Sequence, residues 1–136
     1  MGRRLILDTN VLIAIERSDP EVLRELSPSD ELAIAAVVRA ELFTGIELAE
    51  SSSLRESRMA TVLAALSNVT ILDYTEATAN HHAKLLAHTK QTGRPRGNHD
   101  LIIAAHAAET KREVFSRDLK ARFGELPGVV LAESAI

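Results

Sequence analysis

Short apolar runs recur along the chain at Leu5 to Leu7, Leu32 to Ala36, Val69 to Leu72, Val114 to Ser116 and, after Pro127-Gly128, Val129 to Leu131. Each is too short for a helix and predicts a strand, the last of them at an edge of the sheet. Between them the apolar positions shift to helical spacing. Val11 to Ile15 follows the first run, with Thr9 and Asn10 as capping side chains. Asp19-Pro20 opens a short helix to Leu26, because Asp suits an N-cap and Pro the first turn. Val38, Leu42, Ile46 and Ala49 then form one helical stripe. Ser53-Leu54-Arg55-Glu56 has the capping-box pattern and predicts a helix to about Leu66. Thr75 caps a long helix reaching about Thr89. Gly93-Arg94-Pro95-Arg96-Gly97 breaks the chain into a basic loop, after which Asn98 or Asp100 caps the segment Leu101 to Ala108. That segment is apolar nearly all round, so it belongs between other layers.

Strands that alternate with helices predict a parallel sheet covered on both faces, since right-handed crossovers lay helices there. The 136 residues, 46% of them hydrophobic, suit one domain spanning 1–136 rather than two. The absence of cysteine excludes disulfides and thiolate metal sites, and makes the cytoplasm the expected location. No apolar run approaches the roughly 18 residues of a membrane span, so no membrane partner is expected.

Function in open parallel sheets collects at the carboxyl ends of the strands. Asp8 ends the first strand, Glu41 lies early in the helix after the second, Asp100 starts the apolar helix, and Asp118 follows the fourth strand. Each has an ordinary structural reading, as a turn, a cap or a surface acid. Together they pose an electrostatic problem, because two carboxylates about 4 Å apart repel by about 4 kcal/mol at an effective dielectric of about 20. Protonation or a bound cation must offset this. An all-oxygen donor set favours magnesium or manganese over zinc. A hard divalent ion suits phosphodiester hydrolysis, where it activates water and neutralises phosphoryl charge. Thr9, Asn10 and Ser116 would supply hydroxyl and amide groups beside the acids. Gly45, one turn after Glu41, leaves room on its flank.

These residues resemble the motifs of the PIN-domain nucleases, and more closely those of the VapC-type toxins. LILDTNVLI resembles the opening motif, with Asp8 and Asn10 at its acid and amide positions. VVRAELFTGI is similar to the second, with Glu41 and Gly45; HDLIIAAHA to the third, with Asp100; and VFSRDLKARFGELPGV to the fourth, with Asp118. Two departures stand out. Ala35-Ala36-Val37 replaces the usual serine or threonine before the second acid, predicting a helix start without a side-chain cap, and Ser116 stands where threonine is common. The resemblance implies a PIN-like α/β/α three-layer sandwich with a central parallel sheet of four to five strands. It also implies magnesium- or manganese-dependent RNA cleavage, with Asp8, Glu41, Asp100 and Asp118 as metal ligands and Asn10 in the catalytic set. The partners it implies are an RNA substrate, a cognate VapB-like antitoxin and a second copy of the chain.

The net charge of −3 is unusual for a phosphate binder. Its distribution changes the picture. Lys90, Arg94 and Arg96 precede Asp100, while Arg112, Arg117, Lys120 and Arg122 surround Asp118, giving two basic flanks. Among the histidines only His99, beside Asp100, has a candidate part, in phosphate contact or proton transfer. The alternatives are a PIN-domain RNA-processing nuclease without a toxin role, and a receiver-like magnesium-binding domain with Asp73 as phosphoacceptor.

Overall fold

The computed structural model describes residues 2–133. Five parallel strands, β1 (Arg4–Leu7), β2 (Glu31–Ala35), β3 (Val69–Leu72), β4 (Glu113–Phe115) and β5 (Val130–Leu131), form one sheet in the order β3-β2-β1-β4-β5. Leu5, Ile6 and Leu7 are consecutive and fully buried, so both faces of β1 are covered. This is why interior parallel strands read as unbroken apolar runs. Burying each such side chain contributes about 1.5–3 kcal/mol. The helices α1 (Thr9–Glu16), α2 (Pro20–Glu25), α3 (Ala36–Glu47) and α4 (Ser52–Leu66) pack among themselves, while α5 (Glu76–Thr92) packs chiefly on α6 (Asn98–Thr110). The two groups make the outer layers of an α/β/α sandwich. Among the described residues no helix is long and apolar enough to cross a membrane.

The chain steps outward from β1 to β2 and β3, then returns through α5 and α6 to β4 on the other side of β1. The strand order therefore reverses between β1 and β4, and a crevice opens at their carboxyl ends. α6 is the apolar helix expected from the sequence, with Leu101, Ile103, Ala104, Ala105, His106 and Ala107 buried. Gly93 ends α5 at φ 66°, a left-handed conformation that an L side chain rarely adopts.

Several caps differ from the sequence expectation. Asp8, not Thr9 or Asn10, caps α1 by accepting from Val11 N–H. Ser51, not Ser53, caps α4 by accepting from Leu54 N–H at 3.2 Å. Gly97 stands at the N-cap of α6 with no side-chain bond, so Asp100 lies in the first turn rather than at its cap. Thr75 caps α5 as expected, and the helix runs on to Thr92. Ala35 stands at the N-cap of α3 with no side-chain cap, also as expected. Replacing a capping serine by alanine costs about 1 kcal/mol. Ser51→Ala should therefore lower stability by about that much in urea denaturation, and Ser53→Ala by less than about 0.5 kcal/mol; the reverse order would reassign the cap.

Candidate active site

A cavity of about 310 Å³ lies at the crevice and is lined by Asp8, Thr9, Asn10, Glu41, His99, Asp100 and Asp118, with Ile13 and Ile103. All five site residues expected from the sequence therefore face one space. Asp8 is buried at the end of β1, Glu41 projects from the second turn of α3, Asp100 from the first turn of α6, and Asp118 follows β4. Asn10 is exposed at the cavity rim. A Cβ added to Gly45 would meet nothing within 4 Å, so the flank of Glu41 is open, as its glycine suggested.

Hydrogen bonds from hydroxyls, backbone N–H groups and one imidazole hold the acids in place. One Asp8 oxygen accepts from Val11 N–H at 3.0 Å and the other from the Ser116 hydroxyl. Ser116 Oγ in turn accepts from the Asp118 backbone N–H at 3.0 Å. Across the cavity, Thr9 Oγ1 donates to Glu41 Oε1 at 3.0 Å, and the His99 Nδ1–H donates to the same oxygen at 3.1 Å. Glu41 Oε2 is left without a partner among these contacts. Gly97 gives Asp100 its space, since a Cβ there would lie 3.3 Å from Asp100 Oδ2.

The electrostatics are those of uncompensated negative charge. Among the described residues no ion pair involves Asp8, Asp100 or Asp118. Burial pushes the Asp8 carboxyl above the usual aspartate range; its bonds from Ser116 and Val11 oppose this without cancelling it, and Asp118 and Glu41 add to it. Burial likewise raises Asp100, reinforced by Asp118, Asp8 and Glu41, with His99 acting the other way. Carboxylates that repel one another and present only oxygen fit a hard divalent cation. Among the described residues no three acids or histidines yet stand close enough to enclose an ion. The four face one cavity rather than one point.

The basic flanks differ from the sequence picture. Arg117 pairs with Asp19 and Glu21, and Arg94 with Glu125. Arg96 and Arg112 are buried rather than displayed, Arg96 against backbone carbonyls. Lys90, Lys120 and Arg122 carry the positive charge that remains at the surface nearby. Asp73 does not line the acidic cavity, which removes the phosphoacceptor of the receiver-like alternative.

The architecture is that of an α/β/α domain with acids at its strand ends, and the PIN domain family matches residues 5–127, so the chain belongs to that family. Within it the chain is closely related to VapC-type toxins. It is 33% identical over 106 residues to the tRNA(fMet)-specific endonuclease VapC of Shigella flexneri, covering 76% of this chain and 78% of the relative. It is 32% identical over 129 residues to the protein of the same name from Salmonella typhimurium, covering 93% and 94%. The solved structure of DNA-bound VapBC from Salmonella typhimurium matches with a TM-score of 0.82 at 30% identity, over 97% of this chain and 98% of that one. The chain is thus a VapC-type ribonuclease whose mechanism depends on a divalent metal.

A raised aspartate binds more protons folded than unfolded over the pH range between its two pKa values, so stability is gained below that range and lost as pH rises through it. In EDTA, acidification from neutral pH toward the ordinary aspartate range should relieve the cost at Asp8 and Asp100, against an opposing loss at His82 and His106, whose pKa values burial lowers. Asp100→Asn should raise the neutral-pH melting temperature and flatten this dependence. A lower melting temperature for Asp100→Asn in EDTA would show that neither burial nor the neighbouring acids make the Asp100 carboxylate costly.

Proposed function

We propose that Asp8, Glu41 and Asp100, with Asp118 as a fourth ligand, hold a magnesium or manganese ion in this ribonuclease, and that RNA is cut at the cavity they line. The observation that carries this reading is a set of four carboxylates on one cavity, three of them without an ion-pair partner among the described residues. When bound, such an ion lowers the pKa of a coordinated water and neutralises charge developing on the phosphoryl group.

The chain's own residues prepare that site. Asp8 accepts from Val11 and Ser116, so its carboxylate is already oriented at the cavity. Thr9 and His99 occupy one Glu41 oxygen and leave the other for the cavity. Asn10, at the rim, has an amide suited to donate to a phosphate oxygen. Lys120 and Arg122 follow Asp118 and supply cationic contacts for the flanking backbone. With one tyrosine, three phenylalanines and no tryptophan, the chain has little means for base stacking, so shape and phosphate contact dominate recognition. A tRNA is the first substrate to test, because two relatives are named for one.

The biological role is that of the toxin in a VapBC-like pair. Its cognate partner is a VapB-like antitoxin, and the toxin pairs with a second copy of itself. These assignments draw on the relatedness of whole chains rather than on a surface of this one.

Purified protein should cleave tRNA with magnesium or manganese and lose that activity in EDTA. Asp8→Asn, Glu41→Gln and Asp100→Asn should each reduce cleavage more than about a hundredfold, since a bound ion contributes several kcal/mol to the transition state. Asp118→Asn should cost less. Cleavage that persists in Asp8→Asn or Asp100→Asn protein would sink the proposed ligand set.

A further inference from the structure

Asp100 and Asp118 reach the cavity from segments that no backbone hydrogen bond joins among the described residues. Asp100 follows the loop 93–97, while Asp118 opens an irregular stretch with two 3-10 turns, Leu119–Ala121 and Phe123–Glu125. Arg122 between those turns has φ 48°, a left-handed value for a non-glycine residue, and marks a chain path held by its surroundings. The side chain of Arg96 spans the gap. It is only 3% exposed. Its Nε donates to the Ala121 carbonyl at 2.7 Å, Nη1 to the Arg94 carbonyl at 2.9 Å and Nη2 to the Arg122 carbonyl at 3.5 Å. Glu125 adds a carboxylate 3.9 Å from Nη2, and the same oxygen takes Arg94 at 3.0 Å.

We propose that Arg96 is a positioning residue of the acidic site: it ties the loop leading into Asp100 to the segment following Asp118 and so sets the separation of these carboxylates for a divalent cation. This rests on reading the cavity as the metal site. A direct contact to RNA phosphate is disfavoured, because each of the three guanidinium nitrogens already serves a carbonyl and the group is buried. A purely electrostatic role has the opposite sign. The guanidinium is always charged, and removing a cation beside carboxylates should strengthen binding of another cation. Loss of the tie should weaken it, because groups that hold ligands in place typically contribute about 10–100-fold in metal affinity.

Titration of metal-free protein with Mn2+, followed by calorimetry or by the paramagnetic resonance signal of free Mn2+, separates these possibilities without reference to catalysis. Arg96→Met should weaken Mn2+ binding by about tenfold or more, with little change in KM for RNA. Arg96→Lys keeps the charge but cannot span the same carbonyls, and should recover only part of the loss. Unchanged or tighter Mn2+ binding in Arg96→Met protein would overturn the proposal, as would a raised KM with unchanged Mn2+ affinity or full recovery by lysine. If circular dichroism shows that the methionine variant does not fold, the lysine variant carries the test, and wild-type affinity in it overturns the role. Wild-type protein that binds no Mn2+ would overturn the reading of the cavity itself, whereas equal binding by wild type and variant removes only the part assigned to Arg96.

Discussion

Mutual repulsion among four carboxylates gathered at one end of a parallel sheet is the constraint on which the rest of the site depends. The strand order makes the gathering unavoidable: β1 sits at the centre, the chain departs on one side and returns on the other, and the crevice between β1 and β4 receives Asp8 and Asp118 directly. α3 and α6 deliver Glu41 and Asp100 from opposite layers. Burial, which withdraws the carboxylates from water, is the larger part of what pushes Asp8 and Asp100 upward, and the neighbouring acids add to it. A fold that pays this cost in the metal-free state holds a binding energy in reserve for a cation.

What keeps the acids in place is a set of donors that adds no strong cation to the pocket. Ser116 joins Asp8 to Asp118, and Thr9 and His99 meet on Glu41 from the residues next to Asp8 and Asp100. Arg96 closes the circuit from outside the cavity, between the Asp100 loop and the stretch after Asp118. The arrangement orients the Asp8 and Glu41 carboxylates and anchors Asp118 through its backbone N–H, with no lysine or arginine lining the pocket. A lysine or arginine inside the pocket would relieve the repulsion too, and would also compete with the ion.

The features legible in the sequence are those governed by local pattern. Leu5 to Leu7 and Leu32 to Ala35 stand out because interior parallel strands are apolar on both faces, and α6 stands out because it is buried on most sides. The choice between adjacent candidates was not legible. Asp8, Thr9 and Asn10 can all cap a helix; the buried Asp8 carboxylate takes that role and frees Thr9 to reach Glu41. The same ambiguity moved the α4 cap from Ser53 to Ser51 and left Asp100 inside α6 rather than at its cap. The acids themselves are legible through strand-end placement and motif resemblance. The tie made by Arg96 carried no sequence signal, because its carbonyl partner Ala121 lies 25 residues away in an irregular segment, and Arg94-Pro95-Arg96 reads as solvated charge. Long-range pairing also explains why the basic flank near Asp118 is weaker than composition implies, since Arg117 is taken up by Asp19 and Glu21.

The most direct test of an acidic pocket built to receive a cation is a crystal structure of the protein grown with manganese, with the ion located by its anomalous scattering. The expected result is a peak inside the cavity, with carboxylate oxygens of Asp8 and Asp100 at about 2.0–2.6 Å and the free oxygen of Glu41 turned toward it directly or through water. An empty cavity at manganese concentrations that support cleavage, or an ion bound by residues elsewhere, would contradict it.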